Sequence, residues 1–224
     1  MSIEALENPV IESENPEDKE SGRFPFPIET KSLAEYHDLF DKGAKSKLRS
    51  DILSGENIEK AFSEFINRNQ KEAEITYTLP CKDQLISSAR RYSLDLLEKR
   101  LHLSPNDMSA LESLVGEILI DTIHSVRQKI RNPEFTVRIN ITKFGGYSFE
   151  IINQDKIPFE KWLIVDDAQE MISSHNDNDL NAHAGTMIKK IEVDQLGGKA
   201  KYIAINNEFG EKEYTSFYFE KKFK

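Results

Sequence analysis

Apolar positions along the chain change period several times, and each change marks an element. Over residues 31–69 they recur loosely at helical spacing: Leu33, Tyr36 and Phe40, then Leu48 and Ile52. Ser54-Gly55 interrupts the run, and Asn57, a residue suited to capping, precedes Ile58, Ala61, Phe62, Phe65 and Ile66 on one helical face. From Glu72 the period falls to two: Ile75, Tyr77 and Leu79 alternate with polar residues and Pro80 closes a strand. Asp83 opens a helix that reaches about residue 101, carrying Leu85, Ala89, Tyr92, Leu96 and Leu97. Ser104-Pro105 punctuates, as suits a first helical turn, and a long helix is predicted over 106–130. Phe135, Val137, Ile139 and Ile141, then Tyr147, Phe149 and Ile151, alternate on either side of Gly145-Gly146 and form a hairpin. Residues 153–184 are polar and irregular apart from Trp162, Leu163, Ile164 and Val165, so they read as a functional lid or a disordered loop. A helix over 185–196 stops at Gly197-Gly198, and strands at 199–205 and 214–219 end the chain.

The order strand, helix, helix, hairpin, lid, helix, hairpin predicts an α/β fold: a two-layer sandwich of a mixed, mostly antiparallel sheet with helices on one face, plus an N-terminal helical extension. Residues 1–30 are rich in Glu, Asn and Pro with sparse apolar positions, and read as a disordered acidic tail. Phe24 and Phe26, beside Pro25 and Pro27, offer a short docking motif as the other reading. The extension spans 31–69 and the main domain 72–224. The paired helices of the extension serve a partner or a homodimer, or simply pack on the main domain; their pattern is compatible with each.

Composition narrows the function classes. Charged residues make up 31% and the net charge is −9, which argues against direct nucleic-acid binding through a cationic surface. Cys81 is the one cysteine, so neither an intrachain disulfide nor a cysteine zinc site forms, and its place after Pro80 suggests packing. No run approaches the ~20 apolar residues that span a bilayer. The acidic N-terminus lacks an apolar signal region, so the expected location is cytoplasmic, with no membrane contact.

The long helix carries the sharpest candidate chemistry. Glu117, Asp121 and His124 stand at i, i+4 and i+7, within one narrow stripe. The opposite face holds Met108, Leu111, Val115, Leu119, Thr122 and Val126. The plain alternative is the solvated face of an amphipathic helix. His175 and His183 lack a partner at metal spacing and do not read as zinc ligands, while Lys189 and Lys190 read as a solvated helix face.

Four stretches resemble the GHKL ATPase superfamily, within it the bacterial anti-sigma factor serine kinases, over residues 72–224. Ile75-Thr-Tyr-Thr-Leu-Pro80 with the following helix is similar to the family's first strand and helix. Leu103-Ser-Pro-Asn-Asp107 leading to Glu117, Asp121 and His124 resembles its N-box helix. Phe149-Glu-Ile-Ile-Asn153-Gln-Asp155-Lys-Ile-Pro-Phe159 stands where the family has Asp-x-Gly-x-Gly. Gly185-Thr-Met-Ile-Lys-Lys-Ile-Glu-Val-Asp-Gln-Leu-Gly-Gly198 is similar to its glycine-started helix.

The resemblance implies a pocket for ATP and Mg²⁺. Asp121 would ligate Mg²⁺, which favours oxygen. Glu117 would orient or deprotonate the nucleophile. His124 belongs to the same nucleotide-facing stripe. Asn153 or Asp155, depending on alignment, would accept from the adenine amino group. The helix start at Gly185 and Thr186, with His183 before it, would face the phosphates. Three departures stand out: Asp121 replaces the N-box Asn, both glycines of the adenine motif are missing, and His183 replaces the first lid glycine.

Three functions follow as expectations. One is a regulator of the anti-sigma, serine-kinase type acting through a protein partner, a sigma factor or its antagonist. Another is a non-catalytic scaffold built on a degenerate ATPase fold. The third is a detached histidine-kinase ATP-binding module, for which His37-Asp38 is the candidate phosphoacceptor.

Overall fold

The computed structural model describes residues 26–101, 103–126, 130–155 and 188–222, with the side chains of 123–126 outside that description. It contains strands β1 (Ile28–Ser32), β2 (Glu74–Pro80), β3 (Glu134–Ile141), β4 (Tyr147–Asn153), β5 (Lys199–Asn206) and β6 (Lys212–Lys221). The helices are α1 (Leu33–Ala44), α2 (Lys47–Leu53), α3 (Ile58–Asn69), α4 (Asp83–Leu101), α5 (Pro105–Val126) and α6, described over 188–196. All six strands form one sheet in the order β1-β5-β6-β4-β3-β2. Only β1 and β5 run parallel; the other neighbours are antiparallel. The fold is thus α/β, with a mixed, mostly antiparallel sheet.

Strand alternation divides the sheet into two faces. On the larger face Ile75, Tyr77, Leu79, Val137, Ile139, Phe149, Ile151, Phe217 and Phe219 share a core with Leu96 and Leu97 of α4, Leu111, Leu114 and Leu119 of α5, and Val193 and Leu196 of α6. Helix α5 keeps its predicted start, with Ser104 Oγ accepting from the Asp107 amide at 3.1 Å. The period-two strands and the starts of the two long helices therefore fall where the sequence pattern puts them, while α5 is described only to Val126 and residue 130, its expected end, is not helical.

The N-terminal helices pack on the main domain. Ser32 caps α1 through a reciprocal capping box with Glu35, which explains where that helix begins. Helix α1 crosses the second face of the sheet, where Tyr36 and Leu39 join Ile152, Ile203 and Ile205 in a smaller core. So helices α4, α5 and α6 cover one face, and α1 of the extension covers part of the other. Helix α3, capped by Asn57, stacks Phe62 on Tyr92 of α4 with ring centroids 4.9 Å apart.

Order also begins before residue 31. Phe26, placed by the sequence pattern in the tail, is buried edge-on against the rings of Tyr202 and Phe217 at 5.9 and 5.4 Å. Residues 28–32 then form an edge strand absent from the predicted elements. Its five residues alternate only between exposed and half-buried, so no apolar period announces it. Pairing with β5, not side-chain pattern, defines it.

Candidate functional site

The site lies on the larger face, where the end of β4 meets the C-terminal turns of α5 and the start of the described part of α6. Alternation along β4 turns Ile151 and Asn153 toward α5, and the same rule turns Thr215 and Phe217 of β6 to that side. Here the described residues line a cavity of about 20 Å³ bounded by Asp121, Thr122, Asn153, Lys189, Tyr202, Thr215 and nearby apolar side chains. That is space on the order of one water molecule, which needs ~10–15 Å³.

Hydrogen bonds tie the strand end to the helix. Asn153 Nδ2 donates to Thr122 Oγ1 at 3.5 Å, and Thr122 in turn donates to the Ile118 carbonyl at 2.9 Å. Asn153 Oδ1 accepts from the Asp155 amide at 3.0 Å, closing a side-chain turn of the kind Asn favours. Thr215 Oγ1 donates to the Asp155 carbonyl at 3.0 Å and accepts from Lys212 Nζ at 3.0 Å. Both candidate acceptors of the adenine motif are buried: Asn153 at 7% exposure lines the cavity, and Asp155 at 2% lies just past it.

Asp121 and Lys189 are brought together from positions 68 residues apart. Lys189 Nζ donates to Asp121 Oδ2 in a close ion pair. The lysine side chain is 2% exposed and the aspartate side chain 27%. The ammonium also lies 5.5 Å from the ring centre of Tyr202 and 5.8 Å from that of Phe217, within cation–π range. Burial works against the lysine charge, but Tyr202 and Asp121 outweigh it and hold the Lys189 pKa above its ordinary value. This corrects the expectation that Lys189 belongs to a solvated face; only Lys190, exposed and paired with Asp194, does so. The signal was present in the sequence. Lys189 stands four and seven residues before Val193 and Leu196, on the apolar stripe of α6.

The remaining expected residues divide into two groups. Glu117, one turn before Asp121, is half-buried and does not line the cavity. The backbone of His124 continues α5, but its side chain lies outside the described residues, as do His183, Gly185 and Thr186. His37 stands on α1, on the other side of the sheet, with its side chain 83% exposed. Thr122, Tyr202, Thr215 and Phe217 join the site without having been candidates for it. Their strand and helix periodicity was legible, but their convergence depends on the sheet order.

Among the described residues no group of three or more His, Cys, Asp or Glu is placed to hold a metal ion. No helix among them is long and apolar enough to cross a membrane.

No protein-family model matches the sequence, and no curated protein matches it significantly. Among solved structures, the chain is similar to the mycobacterial sensor histidine kinase MprB at 13% identity and a TM-score of 0.38, covering 64% of this chain and 95% of that one. It is also similar to a chain of the SiaB–SiaC complex from Pseudomonas aeruginosa at 13% identity and a TM-score of 0.44, covering 72% of this chain and 95% of that one.

Proposed function

We propose that the chain is a regulatory protein of the anti-sigma-factor, serine-kinase type that acts by binding another protein, and that the pocket between α5, β4, β6 and α6 is its nucleotide site. The observation that supports this reading is the convergence of Asp121, Asn153, Lys189 and Thr215, from four separate elements, on one small polar cavity. A core of this size is more simply filled with apolar side chains, and converging buried polar groups are a mark of ligand sites. In this reading Asp155 or Asn153 meets the adenine amino group. His124, His183, Gly185 and Thr186 belong to the nucleotide surface, and Glu117 is the candidate base. The partner is a sigma factor or its antagonist.

Calorimetric titration with ATP and ADP tests the nucleotide part. Saturable binding, weakened at least tenfold by Asp155→Asn in a folded variant, is the expected result. No heat up to millimolar nucleotide overturns it. If phosphate transfer to the partner is then seen, Glu117→Ala should abolish it without loss of partner binding.

A second reading, a non-catalytic scaffold on the same fold, is favoured by the Lys189–Asp121 pair and by the small volume it leaves. It expects partner binding to be indifferent to nucleotide. The detached histidine-kinase module draws less support, because His37 stands on the face of the sheet opposite the pocket.

A further inference from the structure

The expected Mg²⁺ ligand on α5 already has a cation. Among the described residues Asp121 is the acid that lines the cavity, and its Oδ2 is held by the Lys189 ammonium. The other groups on the wall, among the described residues, are a carboxamide, two threonine hydroxyls, a phenol and apolar side chains. Mg²⁺ gives up its hydration shell reluctantly and is usually held by one or two carboxylates together with ligand phosphates. An ion bound to Asp121 would share one carboxylate with a buried ammonium, so two cations would face each other across a single partly buried acid. The free edge of the carboxylate does not remove the conflict, because the ion pair is already neutral as a unit.

Lys189 is also poorly placed to withdraw. Its side chain is 2% exposed, it lies beneath two aromatic rings, and it springs from a helix whose Val193 and Leu196 are anchored in the main core. Pulling it out would leave a partly buried carboxylate without its partner, a change that costs more than the pair itself contributes.

The geometry points to a pocket that works without a divalent metal: Lys189 is a built-in cation in the seat of Mg²⁺, and any nucleotide the pocket takes is bound as the metal-free anion. This inference rests on reading the cavity as a nucleotide site, but its first test does not require a nucleotide.

Mg²⁺ alone is titrated into the full chain, with the thermal midpoint and calorimetric heat as readouts and matched ionic strength of NaCl as the reference. The expected result is no saturable heat and no midpoint shift beyond that of NaCl. Sub-millimolar Mg²⁺ binding that Asp121→Asn abolishes would overturn the inference. Lys189→Met, of similar length and without charge, should acquire a Mg²⁺-dependent rise in midpoint. If that variant does not fold, the paired titrations of ATP with and without Mg²⁺ decide.

ATP is then titrated in EDTA and in excess Mg²⁺. Equal affinity in both supports the inference, and binding that appears only with Mg²⁺ overturns it while leaving the nucleotide reading intact. Absence of ATP binding in both buffers defeats the nucleotide reading and, with it, the inference of a metal-free nucleotide.

Discussion

Tyr36 on α1 donates its hydroxyl to the Glu150 carboxylate of β4 at 2.8 Å, across 114 residues of sequence. Glu150 is 2% exposed, and the same Oε1 accepts from Ser216 Oγ of β6 at 2.7 Å. Arg138 of β3 stands 3.7 Å from Oε2. A buried carboxylate is tolerated only when its oxygens are met in this way. Burial, then the Glu150 charge, push the Tyr36 pKa up, so the phenol stays a donor throughout the physiological range. The bond fastens the N-terminal helix to the centre of the sheet.

Tyr36→Phe keeps the ring and removes the donor. It should destabilise the fold by ~1–3 kcal/mol, because Glu150 loses a partner where water is scarce. The urea unfolding midpoint checks this. An unchanged midpoint would mean that α1 is held by its apolar contacts alone.

Gly198 ends the turn from α6 into β5, and a Cβ there would stand 2.4 Å from two ring atoms of Phe219 and 2.7 Å from the Glu220 carbonyl. Phe219 is fully buried, and the carbonyl belongs to a paired strand, so neither yields readily. Gly198→Ala should cost at least ~1–3 kcal/mol, the usual range for overpacking. Thermal unfolding of the purified variant would show it, and a wild-type midpoint would contradict the close approach of α6 to β6.

Phe26 fills the angle between Tyr202 and Phe217. Phe26→Ala should lower stability by ~3–5 kcal/mol, as for other buried phenylalanines. It should also speed amide exchange where β1 joins β5, because the Tyr202 amide of β5 donates to the Pro27 carbonyl at 3.0 Å beside the lost ring. Exchange rates in β1 that match wild type would show that the strand is held independently of Phe26.

Glu74 gives a pH dependence with a definite sign. Burial alone would raise its pKa, but Lys42 at 3.0 Å and Arg138 at 3.0 and 3.2 Å outweigh that and hold it below the usual carboxylate value. A pKa lowered in the folded state means stability that is fully present above the unfolded value, ~4.3, and lost as the pH falls through the folded one. Glu74→Gln should therefore flatten part of the acid limb of the stability curve, by on the order of 1 kcal/mol for a pair this exposed. Chemical denaturation at pH 7 and pH 3 measures the difference. An acid limb as steep as that of the wild type would assign the loss to other carboxylates.

Most of the secondary structure was legible in the sequence because burial on one side imprints its own period. Ile75, Tyr77 and Leu79 alternate because β2 buries one face, and Leu111, Val115 and Leu119 recur because α5 lies on that same face. Punctuation by Pro80, Ser104-Pro105 and Gly197-Gly198 fixed the ends through backbone sterics that act locally. Strand β1 escaped because an exposed edge strand needs hydrogen bonds from a neighbour and leaves no apolar trace. Likewise, the candidate site was half legible. Glu117 and Asp121 could be placed on one helical stripe, but the partner of Asp121 could not be named. Whether a lysine on the stripe of Val193 and Leu196 points into solvent or into the core depends on what waits there. Burying an ammonium is unfavourable until a carboxylate meets it, and that carboxylate comes from α5, 68 residues earlier. The sequence by itself determined the elements and their apolar faces, since these follow from short-range periodicity. The tertiary structure alone decided that Asp121 answers to Lys189, because electrostatic pairing depends on distance in space and not along the chain.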